Sequence, residues 1–165
     1  NILKDLLKQK PVGLILDMRN NGGGYLNTAI DVASEFVSQS PIMYEEFGDG
    51  EKITYKANPY GLATEIPLVV LINEGTASAS EITAGAIQDH GRGVLVGKTS
   101  YGKGSVQNWI TLQNDQGAIR VTIARWLTPK ERQINSLGLA PDYEIEITEE
   151  DIVAERDPQL DKAIK

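Results

Sequence analysis

This chain of 165 residues has no cysteine. Thiol catalysis, disulfides and cysteine-based zinc sites are therefore excluded, and redox chemistry says nothing about the compartment. Basic charge is also in short supply: 16 Lys and Arg against 23 Asp and Glu give a formal net charge of −7. That balance suits neither a nucleic-acid backbone nor an anionic membrane as the main partner. No apolar run is long enough to span a bilayer, and no signal peptide, repeat, low-complexity tract or obvious linker is visible. What is present is a 41% hydrophobic content, which suits one soluble globular domain with a real core. The chain opens at Asn1, without Met, on a helix-like run, so we expect a piece of a longer protein.

Periodicity alternates between helix and strand. Ile2, Leu3, Leu6 and Leu7 have helical spacing, and "VGLILDM" is a continuous apolar run expected of a strand covered on both faces. In "YLNTAIDVASEFV", Leu26, Ala29, Ile30, Ala33 and Val37 share one face and Asn27, Asp31, Ser34 and Glu35 lie elsewhere, as in an amphipathic helix. "IMYEEFGDGEKITYKA" reads as a hairpin turning at Gly48 to Gly50. Strand "LVVLIN", helix "SASEITAGAIQD" and strand "GVLVGK" follow. "SVQNWITL" and "AIRVTIA" predict a second hairpin around "QNDQG", and "YEIEIT" a further strand. The class is α/β, with parallel crossovers and an antiparallel β appendage. Ligands in such sheets sit beyond the carboxyl ends of the strands, where three loops gather.

The loop "RNNGGG" (19–24) allows positive φ and close backbone approach, which serves a tight turn and an anion-binding turn equally well. The second loop, "NEGTASASEI", places hydroxyls at Thr76, Ser78 and Ser80. Ser78 and Glu81 have the spacing of a capping box, and capping is the default role for a serine there. A serine at a helix start can also present its oxygen outward, next to an amide able to stabilise an oxyanion. In the third loop, Gly97, Gly102 and Lys103 match a phosphate-binding G-x-x-x-x-G-K. Gly104 stands where that motif needs Ser or Thr, and a β-rich segment follows instead of a helix, so the nucleotide reading fails. What remains is a lysine between two glycines, with Lys103, Ser105, Gln107 and Trp109 on one face of an extended chain. A desolvated lysine can act as general base for a serine, whereas an exposed loop lysine is simply charged.

Taken together, "GLILDMRNNGGGYL", "INEGTASASEITAGAIQDHGRGVLVGKTSYGKGSVQ" and "LTP…LGLAPD" resemble the C-terminal processing peptidases, or tail-specific proteases, from Gly13 to about Asp142. The resemblance implies a ClpP/crotonase-like spiral core and a serine endopeptidase with a Ser-Lys dyad. Ser78 would be the nucleophile, Lys103 the base and Gln107 its orienting partner. Oxyanion donors would be the amide of Ala79 and that of Gly24 or Gly23, Gly24 preferred. Thr76 and Ser80 would shape or cap the turn. The resemblance implies protein or peptide substrates cut near their C-terminal tails and an extracytoplasmic setting such as a periplasm or cell envelope. No cofactor or metal is implied, and a homo-oligomer is left open. Residues 1–165 would be the peptidase core, without the N-terminal helical region and PDZ domain usual in the family. A crotonase-like acyl-CoA enzyme and a non-catalytic ligand-binding module on the same scaffold are the alternatives. His90, at a helix end, is expected on the surface. Asp89 lies about three helical turns, roughly 16 Å, from Ser78, and is expected to pair with Arg92 or hold the helix end.

Overall fold

A computed structural model describes residues 2–39 and 41–165, without the side chain of Asp115. Helix α1 (Ile2–Lys8) buries no side chain. Strands β1 (Leu14–Asp17), β4 (Leu68–Ile72), β5 (Val94–Gly97) and the short β8 (Tyr143–Glu144) form one parallel sheet in the order β1-β4-β5-β8. Strands β2 (Met43–Phe47), β3 (Lys52–Tyr55), β6 (Ser105–Thr111) and β7 (Ala118–Leu127) form an antiparallel sheet in the order β3-β2-β7-β6. Both hairpins fall where the turn residues predict them, and β8 is the first two residues of the expected "YEIEIT" strand.

Helices α2 (Leu26–Phe36) and α3 (Ala79–Asp89) pack against each other beside the parallel sheet. Nearly all of α3 is buried, which its small and apolar residues Ala79, Ile82, Ala84, Gly85, Ala86 and Ile87 permit. Val70, Ile72, Ala84, Ala86, Ile87 and Leu95 are fully enclosed in one core cluster, which Trp126 of the antiparallel sheet joins. Truncating a residue such as Ile87 to Ala costs about 2–5 kcal/mol.

Two expectations are corrected here. Strand β1 is not covered on both faces: Leu14 and Leu16 pack on the core, while Ile15 and Asp17 are exposed. It is also an edge strand, with β4 as its one neighbour among the described residues. Ser34, read as part of the polar face of α2, is buried. Its hydroxyl donates to the Ile30 carbonyl (2.6 Å) and accepts from the Asn58 N–H (2.9 Å), so a local partner satisfies it.

The chain ends in helices α4 (Glu149–Val153) and α5 (Pro158–Ile164). Thr148 caps α4 by accepting from the Asp151 N–H, and Asp157 caps α5 ahead of a proline in its first turn. Helix α5 packs against β4 and β5 and so returns the C-terminal segment to the end of β1.

Candidate active site

The loops after β1 and β4 are joined by hydrogen bonds. The Asn20 N–H donates to Asn73 Oδ1 (2.8 Å), and Asn73 Nδ2 donates back to Asn20 Oδ1 (3.0 Å). Thr76, fully buried, donates its hydroxyl to the Met18 carbonyl (2.8 Å) and accepts the Asn73 N–H. The Ala77 N–H donates to the Asn21 carbonyl (3.0 Å). Thr76 thus ties the two loops together, in keeping with a shaping role.

This junction brings the glycine turn onto the start of α3. Gly23 has φ of +97°, and a Cβ added there would lie 2.6 Å from the Ala77 carbonyl oxygen and 2.8 Å from the Ala79 nitrogen. Only glycine permits both the conformation and the approach. The Gly23 N–H donates to Asn21 Oδ1 (3.0 Å), so it is already engaged. Neither the Gly24 N–H nor the Ala79 N–H donates a hydrogen bond to any described residue. Of the two glycines, Gly24 therefore offers the available amide.

Ser78 holds a backbone conformation (φ 58°, ψ −121°) that residues with side chains rarely adopt. Such strain costs of order 1–3 kcal/mol and persists only where the surroundings enforce it. Here the enforcing group is Glu81. Its carboxylate is completely buried and accepts four hydrogen bonds: from the Ser78 N–H (2.7 Å), the Lys103 N–H (2.9 Å), the Gly102 N–H (2.7 Å) and the Ser100 hydroxyl (2.6 Å). One carboxylate thus binds the Ser78 turn to the Lys103 loop. The sequence reading saw only its capping half. A clue was available: Glu81 lies one residue before Ile82 in a helix rich in small residues, and a carboxylate packed into such a helix needs buried donors.

Lys103 is held on both sides of its Cα, since its carbonyl also accepts the Trp126 indole N–H (2.9 Å). Gly104 beside it lies so near Asn135 that a Cβ would come within 2.8 Å of the Asn135 nitrogen. Lys103 is half-buried as a residue, and its ammonium has no ion pair or hydrogen bond among the described residues. Strand β6 carries a bulge between Val106 and Gln107.

A cleft of about 250 Å³ is lined by Ser78, Ala79, Gly24, Lys103 and Gln107, over a floor that includes Leu26, Met43, Ile82, Val106 and Trp126. Five of the six residues singled out from the sequence meet in it. The sixth, Gly23, lines a smaller cavity of about 190 Å³ on the other side of the turn, together with Ser80. Ser80 is buried and absent from the cleft, so of the three hydroxyls Ser78 alone reaches it. Gln107 makes no hydrogen bond to Lys103: its amide nitrogen makes a long contact (3.4 Å) to the Thr122 hydroxyl, and its carbonyl oxygen accepts from no described residue.

Asp89 and His90 sit at the far end of α3, outside the cleft. Asp89 does not pair with Arg92. It forms an ion pair with Arg132 and accepts the Lys130 N–H (2.8 Å), whereas Arg92 donates to the carbonyls of Ala63 and Ile66. His90 is half-buried, with Nε2 donating to the Pro41 carbonyl (2.7 Å). Both residues fasten loops to the end of the helix.

Arg19 is the other residue the sequence left without a role. Its guanidinium donates to Asp17 on β1 and to Asp157 (3.0 Å) and Gln159 (3.1 Å) near the C-terminus. Burial of Asp17 alone would raise its pKa, but the hydrogen bonds and charge of Arg19 outweigh it and hold the carboxyl below its ordinary value. The segment 157–159 thereby braces the residue that leads into the glycine turn.

Residues 1–145 match the model of peptidase family S41. A carboxyl-terminal-processing protease of Synechocystis sp. is 45% identical over 144 residues, which are 87% of this chain and 33% of that protein. A chloroplastic C-terminal processing peptidase of Tetradesmus obliquus is 39% identical over 142 residues, 86% of this chain and 30% of that one. A solved photosystem II D1 C-terminal processing protease superposes with a TM-score of 0.82 at 39% identity, covering 87% of this chain and 37% of its own. The chain spans about a third of the length of these relatives.

Proposed function

Because the chain belongs to peptidase family S41, we propose that it is the peptidase core of a serine endopeptidase of the C-terminal processing type, acting on protein or peptide substrates near their tails. The observation that carries this reading is the single cleft into which Ser78, Lys103 and the unengaged amides of Ala79 and Gly24 all open. In the cycle we assign, neutral Lys103 takes the Ser78 proton as the oxygen attacks the scissile carbonyl. The N–H groups of Ala79 and Gly24 donate to the developing oxyanion, at the point where charge appears. The ammonium of Lys103 then protonates the leaving amine, which departs from an acyl-enzyme on Ser78. Water, deprotonated by Lys103, attacks that ester and regenerates the serine.

Gln107 is assigned to complete the arrangement by offering its carbonyl oxygen, which accepts from no described residue, to the Lys103 amine. Tail recognition falls to a PDZ domain elsewhere in the longer protein, which would work outside the cytoplasm. No described helix is long and apolar enough to cross a membrane. The test is labelling of the full-length protein by a fluorophosphonate probe together with hydrolysis of a protein substrate. Both are expected to vanish in folded Ser78→Ala. Labelling that persists in that variant would assign the nucleophile elsewhere.

A further inference from the structure

The cleft does not end at Lys103 and Gln107. It continues along β6 to Trp109 and, directly opposite it on β7, Arg120. The Arg120 guanidinium carbon stands 5.9 Å from the centre of the Trp109 ring, within the range of a cation–π contact. Trp109 is 70% exposed, so an indole and a cation face solvent together at the mouth of the site.

Arg120 differs from every other arginine of the chain. Arg19, Arg125, Arg132 and Arg156 each hold a carboxylate, and Arg92 donates to two backbone carbonyls. Among the described residues the Arg120 guanidinium has neither an ion pair nor a hydrogen bond. Acidic groups outnumber basic ones in this chain, yet this guanidinium is left with its donors open, within cation–π range of an aromatic ring and lining the cleft. A cation–π contact with indole favours one place for a guanidinium while leaving its planar fork free for a carboxylate.

We propose that Arg120, positioned by Trp109, is a specificity determinant that binds a carboxylate of the peptide, either an acidic side chain or the free C-terminal α-carboxylate, a few residues from the scissile bond. This rests on the peptidase reading above and names the chemistry its cleft selects. An extended peptide advances roughly 3.3 Å per residue, so Arg120, one pleat beyond Gln107, is reached within a few residues of Ser78. A neutral peptide would occupy the cleft without this contact.

The experiment measures binding apart from turnover. Full-length protein carrying Ser78→Ala, alone and with Arg120→Gln or Arg120→Glu, is titrated with fluorescein-labelled peptides followed by anisotropy at low and high salt. The peptides share one apolar sequence and end in a neutral amide, in a free carboxylate, or in the amide with a single internal Glu or Lys. One or both of the carboxylate peptides should bind the arginine-containing protein roughly three- to tenfold more tightly than the neutral amide, the range between an exposed ion pair and a charge-assisted hydrogen bond. That ratio should fall to about 1 in Arg120→Gln, reverse in favour of Lys in Arg120→Glu, and shrink with salt, while affinity for the neutral amide stays constant. Preference for the free terminus alone would assign the α-carboxylate, and preference for internal Glu alone the side chain. An unchanged ratio in Arg120→Gln, equal weakening of all peptides, or no binding by any of them would overturn the proposal. Peptide hydrolysis by the otherwise unaltered enzyme, abolished by Ser78→Ala, tests the peptidase reading separately.

Discussion

Replacing Glu81 by Gln changes one atom and should disable the site. The two carboxylate oxygens accept from different partners: Oε1 from the Ser100 hydroxyl and the Gly102 N–H, Oε2 from the N–H groups of Ser78 and Lys103. An amide can present an oxygen to only one pair. With its NH₂ toward Ser78 and Lys103, it would face two backbone donors that cannot reverse. With its NH₂ toward the other pair, the Ser100 hydroxyl can rotate to accept, although it already receives the Leu139 N–H (2.7 Å), but the Gly102 N–H is left facing a donor. The second orientation is therefore preferred, with at least one buried N–H lost. Each such loss costs about 1–3 kcal/mol, and the weakened bonds to a neutral acceptor add to it. We expect about 3 kcal/mol in total, or roughly 6–12 °C in melting temperature for a domain of this size. Glu81→Ala should cost more, because all four donors lose their acceptor. Activity should fall further than stability, because the strained Ser78 turn and the Lys103 loop lose their common anchor. The assay pairs denaturant unfolding with peptide hydrolysis well below the melting point. Wild-type midpoint and turnover in Glu81→Gln would refute the reasoning.

The glycines of the turn should separate in the same assays. A Cβ at Gly24 meets nothing within 4 Å, so Gly24→Val should fold normally and keep its N–H, losing turnover only because its branched side chain crowds the cleft beside that amide, whereas Gly23→Ala collides with Ala77 and Ala79 and should destabilise the chain. A folded Gly24→Val with wild-type turnover would show that no reacting group sits beside that amide. Lys103→Arg should be inactive although folded, because a guanidinium stays protonated, and Gln107→Ala should retain reduced activity; active-site titration with a fluorophosphonate distinguishes the two. For Asp17, whose folded pKa is lowered, the stability it contributes is present above its unfolded pKa of about 3.9 and is lost as pH falls through the lower folded value. The difference in denaturant midpoint between wild type and Asp17→Asn should therefore be constant near neutrality and close below pH 4. A gap that widens on acidification would contradict the assigned direction.

Periodicity and turn residues determined the element order from α1 to β8, both hairpins and the α/β class, though not the terminal helices α4 and α5, because burying an apolar face requires a local repeat of 3.6 or 2 residues that neighbours in the chain already display. Motif order and separation identified the family and the residues of the cleft, since the turns after β1 and β4 and the loop after β5 each have their own local signature. The rest depended on partners distant in sequence. Glu81 looked like a helix cap until Ser100, Gly102 and Lys103, some 20 residues on, supplied its other donors. Arg19 had no evident role until Asp157 and Gln159, 138 and 140 residues away, closed around it. Asp89 took Arg132 rather than the nearer Arg92, whose guanidinium the carbonyls of Ala63 and Ile66 had already claimed. The openness of one face of β1 likewise depended on what other elements lay over it, since α5 packs against β4 and β5. A hydrogen bond or ion pair depends on which groups folding brings within about 3 Å, and no pattern along the chain records that distance when the partners come from separate elements.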